Sequence, residues 1–305
     1  MALVEINDVD ELQAIKDALS GDYILGNDID AAATSGWNEG CGFIPIGDPG
    51  TPFTGNFDGD GYVITDLFID RNGNFQGLFG YTDYIVEIKN VGMVDVSITG
   101  DDDVGGLLGL STGTVTNCYS TGSVSGIIHV GGLVGYNYVG TITNCYSTGS
   151  VSGTDNVGGL LGRGTGTITN CYSTGSVSGN EDVGGLIGDN YKITITNCYS
   201  TGSVSGTDNV GGLIGYDSLG TYNDCFWDTE TSGQDTSAGG TGESTADMMK
   251  QATFTNWDFT DPDTWDITED ETYPWLHSLG PPPEPEPEGL SIPIAMHHYK
   301  QMAGN

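Results

Sequence analysis

The sequence predicts an all-β solenoid, a parallel β-helix, on the basis of three observations. Five near-copies of one unit follow each other, and their cysteines lie 27, 26, 27 and 27 residues apart, at Cys118, Cys145, Cys171, Cys198 and Cys225. A supersecondary unit repeated at a fixed length is typical of a solenoid. Each unit carries Val-Gly-Gly-Leu-x-Gly and a form of Asn-Cys-Tyr-Ser-Thr-Gly. Its few apolar residues are β-branched and separated by Gly, Ser and Thr, which favours short strands over helices.

Stacked coils place equivalent residues above one another at the strand spacing of ~4.8 Å. The expected inward columns are Val104, Val130, Val157, Val183 and Val210, then Val124, Val151, Val177 and Val204, and the five repeat cysteines. Cysteines that neighbour each other in one column point the same way, which suits disulfide torsions poorly, so we expect buried thiols. The chain has no Cys-x-x-Cys, so we expect no zinc site. Cys41 lies outside the repeats and is expected to be a free thiol.

The chain divides into a solenoid, its two ends and a tail. Leu12, Ile15 and Leu19 lie at helical spacing and predict a short amphipathic helix that caps the first coil. Tryptophans after residue 226 predict a compact aromatic C-terminal cap. The predicted segments are residues 1–30 (N-terminal cap), 31–104 (divergent coils), 105–225 (regular repeats), 226–280 (C-terminal cap), 281–289 (Pro/Glu linker) and 290–305 (docking peptide).

The charge of the chain excludes several classes of function. Seven basic against 42 acidic residues give a net charge of −35. Such a surface repels nucleic acid and anionic membranes, because phosphate binding needs lysine and arginine. No long apolar run occurs, so we expect no membrane insertion. The first ten residues hold three acids and no hydrophobic signal region. We expect either a trimmed signal or a route without one, as in virion proteins.

The tail differs in kind from the rest of the chain. Residues 281–288 are all Pro or Glu and predict a stiff polyproline II spacer. After it, Leu290, Ile292, Ile294 and Met296 alternate with smaller or polar residues, and Tyr299 follows. This pattern predicts a strand-like peptide that docks on a protein partner or assembly, and the alternative is a frayed terminus.

The repeat motifs resemble a known family, the GLUG repeat. They are Gly-Leu-Leu-Gly at 106–109 and 159–162, Gly-Leu-Val-Gly at 132–135, and Gly-Leu-Ile-Gly at 185–188 and 212–215. Each leads to an Asn-Cys or Asn-Asp-Cys segment. The resemblance implies a right-handed parallel β-helix in surface-exposed or secreted proteins, adhesins or the non-catalytic flanks of IgA peptidases. The peptidase signature His-Glu-x-x-His is absent, so no protease activity carries over.

Acidic residues are the catalytic candidates that the sequence offers. Asp101, Asp102 and Asp103, or Asp58 with Asp60, have the residue types of a glycosidase acid and base. The repeat faces offer mainly Ser, Thr and Asn, without the aromatic and basic residues that clamp a substrate. We therefore interpret these carboxylates as solubilising turns. The same Asp-rich turns match a degenerate calcium pattern, and no other cofactor is expected.

Outward threonines form the other candidate surface. Thr-x-Thr segments at 114–116, 141–143, 167–169 and 194–196 should stack with both threonines outward. A flat array of this kind is typical of ice-binding solenoids, although outward threonine is also ordinary in exposed strands. No repeat position stands out chemically from its copies, so the sequence names no ligand.

The sequence as a whole predicts a non-catalytic structural and recognition solenoid. The first expected setting is a virion fibre or decoration component attached through residues 290–305. The alternative is a secreted cell-surface adhesin with a host-surface or glycan ligand. Ice binding and a polysaccharide-active enzyme are further alternatives.

Overall fold

The chain forms a parallel β-solenoid in a computed structural model that describes residues 3–260 and 264–282. The strands before the regular repeats are β1 (Val4–Ile6), β2 (Tyr23–Leu25), β3 (Ile29–Asp30), β4 (Phe57–Asp58), β5 (Val63–Thr65), β6 (Phe68–Asp70), β7 (Phe79–Tyr81), β8 (Glu87–Lys89) and β9 (Gly92–Thr99). All nine belong to the long parallel sheet that continues into the repeats.

The repeats and the segment directly after them add nineteen strands of 2 to 13 residues. These are β10 (Asp102–Gly105), β11 (Leu108–Ser111), β12 (Thr114–Thr116), β13 (Tyr119–Ser125), β14 (Ile128–Gly131), β15 (Val134–Asn137), β16 (Thr141–Ser147), β17 (Ser150–Ser152), β18 (Asp155–Gly158), β19 (Leu161–Ser173), β20 (Val177–Ser178), β21 (Glu181–Gly184), β22 (Ile187–Thr196), β23 (Tyr199–Ser200), β24 (Val204–Ser205), β25 (Asp208–Gly211), β26 (Ile214–Ser218), β27 (Thr221–Asn223) and β28 (Phe226–Asp228). Strands β10, β14, β18, β21 and β25 form a separate five-stranded sheet along one side.

The register between coils follows the sequence repeat. Val104 pairs with Val130 and Val130 with Val157, and the column continues through Val183 to Val210. The first four valines are fully buried, and Val210 is partly buried at the last coil. Leucine or isoleucine at each Gly-Leu-x-Gly segment fills the same core. Identical or similar apolar residues therefore lie over one another in the interior of the regular repeats.

The five repeat cysteines lie inside this core. All six cysteines of the chain are free, Cys41 is exposed, and the five repeat cysteines are buried. The backbone N–H of Cys118 donates to the sulfur of Cys145 over 3.4 Å, and the Cys118 thiol donates to the Thr116 carbonyl over 3.3 Å. Burial raises the pKa of the Cys118 thiol well above its usual range.

Asparagine makes the sharp turn before Cys118, Cys145, Cys171 and Cys198, and Asp224 makes it before Cys225. The residues at this position have positive φ, from 52° to 54°, at Asn90, Asn117, Asn144, Asn170 and Asn197. Asparagine tolerates this left-handed conformation better than most residues. Its side-chain amides also bond from coil to coil, with Nδ2 to Oδ1 distances of 3.1 to 3.3 Å. The Asn of each Asn-Cys segment is thus a structural column.

A short helix covers the first coils, as Leu12 and Ile15 predicted. Helix α1 spans Val9–Ala14, a 3-10 turn follows at Ile15–Asp17, and Asp8 accepts a cap hydrogen bond from the Glu11 N–H over 2.8 Å. The sheet itself starts before the helix, because β1 pairs with β2 and β2 with β4. The first strands of the solenoid thus lie within the segment predicted as a cap.

The C-terminal segment closes the last coil and then lies along the side of the solenoid. Strand β29 (Thr241–Glu243) pairs with β28, and β30 (Trp265–Asp266) pairs antiparallel with β31 (Trp275–Leu276). The remaining helices are α2 (Thr229–Ser232), α3 (Thr245–Met248) and 3-10 turns at Ala32–Gly36, Asn38–Gly40, Gln251–Thr253 and His277–Leu279. Ser244 caps α3.

This C-terminal segment covers a stacked column of tyrosines. The column consists of Tyr119, Tyr146, Tyr172 and Tyr199, whose ring centroids are 4.8, 4.8 and 5.0 Å apart with nearly parallel planes. Trp265 lies 6.0 Å from both Tyr172 and Tyr199. The aromatic residues expected in a C-terminal cap therefore form a second hydrophobic core on the side of the coils.

Candidate functional site: an exposed tyrosine strip at one corner

The binding residues predicted in the tail lie outside the described part of the chain. These are Leu290, Ile292, Ile294, Met296 and Tyr299. The docking peptide therefore stays a prediction from sequence.

Asp58, one of the acidic candidates, is engaged in local hydrogen bonds. Asp58 Oδ1 accepts from the Asp60 N–H over 2.9 Å and from Asn90 Nδ2 over 3.0 Å, so it terminates the asparagine column. Lys89 Nζ lies 3.7 Å from its other oxygen. Within residues 3–260 and 264–282, no three His, Cys, Asp or Glu side chains are grouped as metal ligands.

The predicted threonine array is in register. Thr114, Thr141, Thr167 and Thr194 pair in sequence along the ladder, and Thr221 extends it by one coil. The central residues of the Thr-x-Thr segments, such as Val115 and Ile142, are buried, so the threonines on either side of them point outward. Glu87 and Lys89 continue the same ladder toward the N-terminus.

A different surface holds the residues in which the repeats differ. It lies where the strand after Gly-Leu-x-Gly turns toward the Thr-x-Thr strand. The register there places Tyr81, Leu110, Tyr136, Arg163, Asp189 and Tyr216 in one column. We call the exposed and partly buried aromatic and basic side chains of this corner the corner strip, and define it as Tyr81, Tyr84, Tyr136, Tyr138, Arg163, Tyr191 and Tyr216.

The extra residue of the 27-residue units lies at this corner. The 26-residue unit turns through Thr165-Gly166, whereas the three longer units turn through Tyr138-Val139, Tyr191-Lys192 and Ser218-Leu219. Val139, Lys192 and Leu219 have φ of 58°, 67° and 71°. Positive φ is unusual for residues other than glycine, asparagine and aspartate and carries backbone strain. Two of the three longer turns display a tyrosine before the strained residue.

The tyrosines of the strip are accessible. Tyr84 is 61% exposed, Tyr138 44%, Tyr191 41% and Tyr216 44%. The rings of Tyr84 and Tyr138 are 6.5 Å apart at a steep angle, and Tyr136 is 6.2 Å from Tyr138. Water-exposed rings in contact with each other form a ridge that no part of the described chain covers.

Two of the chain's seven basic residues flank one ring of the strip. The Arg163 guanidinium carbon lies 5.7 Å and Lys192 Nζ 5.3 Å from the Tyr191 ring centre. Arg163 Nε is also 3.1 Å from Asp189 Oδ2. Burial raises the pKa of Asp189, and Arg163 opposes that shift. The aromatic ring and the carboxylate together hold Arg163 at the surface.

A second column borders the strip. It consists of Asp103, His129, Asn156, Asp182 and Asn209, which all have φ between 50° and 57°. His129 Nδ1 is 2.6 Å from Asp103 Oδ1, and the His129 ring lies 5.3 Å from that of Tyr136. Asn156 and Asn209 donate to the two oxygens of Asp182 over 3.1 and 2.8 Å. Asp103, a predicted catalytic candidate, is therefore part of this polar border.

Glycine explains why the two columns lie so close. A Cβ on Gly162 would lie 2.4 Å from the His129 carbonyl carbon, and one on Gly188 would lie 2.5 Å from that of Asn156. The last glycine of Gly-Leu-x-Gly is thus required where the backbones of the two sheets approach.

The expectation that no repeat position stands out chemically is wrong. The strip column reads Tyr, Leu, Tyr, Arg, Asp and Tyr from coil to coil, and histidine replaces Asn or Asp in the bordering column. The one-residue difference in unit length was the available sequence signal, because it marks the turns that carry Tyr138 and Tyr191.

The comparisons agree with the repeat architecture. The GLUG motif matches residues 102–125, 126–152, 153–178 and 179–205, so the chain contains four tandem GLUG repeats, as its motifs predicted. A solved structure from Bacteroides ovatus, a "putative immunoglobulin A1 protease", superposes with a TM-score of 0.70 at 26% identity, over 90% of this chain and 91% of that one.

Two relatives are similar over part of the chain. Halomucin of Haloquadratum walsbyi is 43% identical over 141 residues, which cover 43% of this chain and 2% of halomucin. A "putative Gly-rich membrane protein" of Evansella cellulosilytica is 38% identical over 82 residues, which cover 26% of this chain and 10% of that protein. The chain therefore spans a small part of either relative. None of the helices in the described residues has the length and apolar character to cross a membrane.

Proposed function

We propose that this chain is a non-catalytic solenoid that serves as a structural and recognition module on a cell surface. The proposal rests on one observation: the repeats differ from each other at the corner strip, on the outer surface. The inward valine and cysteine columns are uniform, whereas the corner strip changes from coil to coil. A rigid repeat scaffold with one variable, open face is suited to presenting a binding surface.

The surface setting is supported by what the relatives are called. One is a halomucin and the other a membrane protein. A net charge of −35 also keeps such a module soluble and apart from anionic polymers. Neither of these two relatives is named as a virion protein, so we treat the virion setting expected from the sequence as the competing outcome.

Antibody labelling distinguishes these settings. Antibodies raised against the purified solenoid are expected to label intact cells of the source organism as strongly as permeabilised cells. Labelling that requires permeabilisation would contradict a surface role. Labelling confined to purified virus particles would support the virion setting instead.

Attachment through the tail is part of this proposal. Residues 290–305, with Leu290, Ile292 and Met296, would add a strand to a protein partner. Removal of residues 281–305 should leave the circular dichroism of the solenoid unchanged and release the protein into the medium. If the truncated protein stays attached to its assembly, the docking role of the tail is wrong.

The proposed module acts without turnover. Its structural neighbour is called a protease, but His-Glu-x-x-His occurs nowhere in the 305 residues. Incubation with immunoglobulin A1 or with polysaccharides should yield no new peptide fragments or reducing ends. Turnover that disappears when Asp101, Asp102 and Asp103 are replaced together by Asn would contradict the non-catalytic assignment.

A further inference from the structure

Two exposed tyrosines of the corner strip lie in equivalent turns two coils apart. They are Tyr138 and Tyr191, and the coil between them turns through the shorter Thr165-Gly166. With strands ~4.8 Å apart, equivalent positions two coils apart are ~9.6 Å apart along the axis. The ring of Tyr84, two coils before Tyr138, leans to within 6.5 Å of the Tyr138 ring, so the two-coil spacing is assigned to Tyr138 and Tyr191 alone.

An extended β-1,4-linked glycan repeats in the same way. Each sugar advances the chain by a length close to one coil spacing, and the same sugar face recurs at every second residue. The C–H groups on a pyranose face are weakly positive and apolar, so they pack on the negative face of an aromatic ring. A glycan parallel to the solenoid axis would place equivalent sugars on equivalent rings.

Polar groups lie beside the rings where sugar hydroxyls would fall. Arg163 is partly exposed and held by Asp189 and Tyr191. His129 and Asp103 form a pair next to Tyr136. These side chains supply hydrogen-bond donors and acceptors within one coil of an exposed ring. Aromatic surface with a few fixed polar groups is the usual composition of a ligand site.

Charge selects a neutral glycan over an acidic one. Arg163 of the strip and the adjacent Lys192 stand against Asp103 and Asp182 of the border and Asp189 beside Arg163, and the chain as a whole carries −35. A uronate or sulfate chain would be repelled by this field. The hydroxyl and acetamido groups of a neutral chain need no counter-charge.

The shape of the surface selects a polymer over a small molecule. Two hollows among the described residues lie against the C-terminal segment, one around Tyr222 and Phe226 and the other around Asp60 and Tyr119. The strip is an open ridge. It spans the six coils from Tyr81 to Tyr216, about 24 Å at the strand spacing. A stable protein interface needs about 800 Å² on each partner, whereas a ridge one or two side chains wide suits a single extended chain.

We propose that the corner strip binds a neutral, extended β-1,4-linked glycan, with Tyr138 and Tyr191 stacking on sugar rings and Arg163 bonding to hydroxyls between them. The inference rests on the proposed recognition function and names its ligand class. Glycan binding is measured on the purified chain, so a negative result would disprove the ligand class without disproving display on a cell surface.

Calorimetric titration of the full chain with chitohexaose, cellohexaose and a hexamer of polygalacturonate tests the inference. We expect binding of at least one neutral hexamer and none of the acidic one. Tyr138→Ala and Tyr191→Ala should each weaken binding roughly tenfold. Tyr138→Phe should bind like the wild type, because the ring face is retained. Arg163→Gln should weaken binding less than either alanine variant.

Leu3→Ala is the matched control, since Leu3 is an exposed apolar residue away from the strip and its loss should leave binding unchanged. Circular dichroism of each variant separates lost binding from lost folding. The inference is overturned if neither neutral hexamer binds at millimolar concentration, or if binding survives in the Tyr138→Ala/Tyr191→Ala double variant. A concentration-dependent dimer that disappears in the double variant would instead identify a second copy of the chain as the occupant. Failure of glycan binding together with labelled intact cells would reject the ligand class and leave the surface role in place.

Discussion

Two sets of tyrosines on the same solenoid behave in opposite ways. The stacked column occurs in four successive coils, with Tyr146, Tyr172 and Tyr199 almost fully buried under the C-terminal segment. The corner strip carries exposed tyrosines in some coils only, at Tyr84, Tyr138, Tyr191 and Tyr216, and Arg163 and Asp189 replace tyrosine at the position of Tyr136 in two successive coils. A residue that recurs in every coil supports the fold, whereas one that changes between coils is free to serve recognition.

The largest expected loss of stability follows from a substitution in the C-terminal segment that covers the stacked tyrosine column. Trp265 is fully buried and contacts Tyr172, Tyr199 and Trp257. Trp265→Ala should lower the free energy of unfolding by about 3–5 kcal/mol, because it opens a cavity over the tyrosines. Urea unfolding followed by circular dichroism measures the change. Tyr138→Ala on the corner strip is the matched control, and its effect should stay within about 0.5 kcal/mol. Similar losses for both variants would remove the distinction between the two sets.

The cysteine column is the next test. Cys118→Ser should lower the free energy of unfolding by roughly 1–3 kcal/mol, since it puts a hydroxyl in an apolar column. Cys41→Ser should have little effect, because Cys41 is exposed. Thiol titration of the native protein should label Cys41 alone, and the other five only after denaturation. Rapid native labelling of all six thiols, or a stable Cys118–Cys145 disulfide, would contradict the inward column.

Two conservative changes within the stacked column sharpen the comparison further. The Tyr199 hydroxyl donates to the Pro274 carbonyl, whereas the buried Tyr172 hydroxyl has no hydrogen-bond partner among the described residues. Tyr199→Phe should cost about 1 kcal/mol, and Tyr172→Phe should be neutral or slightly stabilising. Thermal unfolding of the two variants side by side measures the difference. A larger loss of stability for Tyr172→Phe than for Tyr199→Phe would mean that the Tyr199 hydroxyl does not hold the C-terminal segment.

The smallest expected effect is a pH dependence from acidic residues on the outer faces. Burial raises the pKa of Asp66, with Asp95 and Asp30 adding to it, and burial also raises the pKa of Asp182 and Asp189. A raised native pKa means that the folded state binds the proton more tightly. That stability is present below the unfolded value of about 3.9 and is lost as pH rises through the native pKa.

The melting temperature at low salt should therefore rise when pH falls from 7.5 toward 5. Asp66→Asn should raise the melting temperature at pH 7.5 and reduce the pH dependence, since Asn tolerates the positive φ at this position. Added salt should also raise the melting temperature at pH 7.5, because it screens the repulsion within a chain of charge −35. A melting temperature that falls between pH 7.5 and 5 would contradict this assignment.

The interior could be predicted from the sequence because repetition specifies it. Once Val104 and Val130 lie in register, every later coil must follow, and the cysteine spacing fixes that register. The helix of residues 9–14 was also predictable, from its capping Asp8 and the spacing of Leu12 and Ile15. These features depend on local pattern and period alone.

The packing of the C-terminal segment on the tyrosine column could not be predicted in the same way, and neither could the corner strip. That Trp265 packs on Tyr172 depends on how the segment after residue 243 folds back, and no period sets that path. The strip requires residues such as Tyr84 and Tyr138, 54 positions apart in sequence, to meet through a turn whose length differs between units. The positions that the copies share predict the core, whereas the candidate site consists of positions at which the copies differ.

Tyrosine footprinting with hydroxyl radicals, with and without chitohexaose and with and without cellohexaose, tests the central claim most directly. Tyr138 and Tyr191 should react strongly in the free protein and be protected by the glycan, while Tyr146 and Tyr172 should react little in both states. Protection confined to other tyrosines, or unchanged reactivity of Tyr138 and Tyr191 when the glycan is bound, would contradict the account.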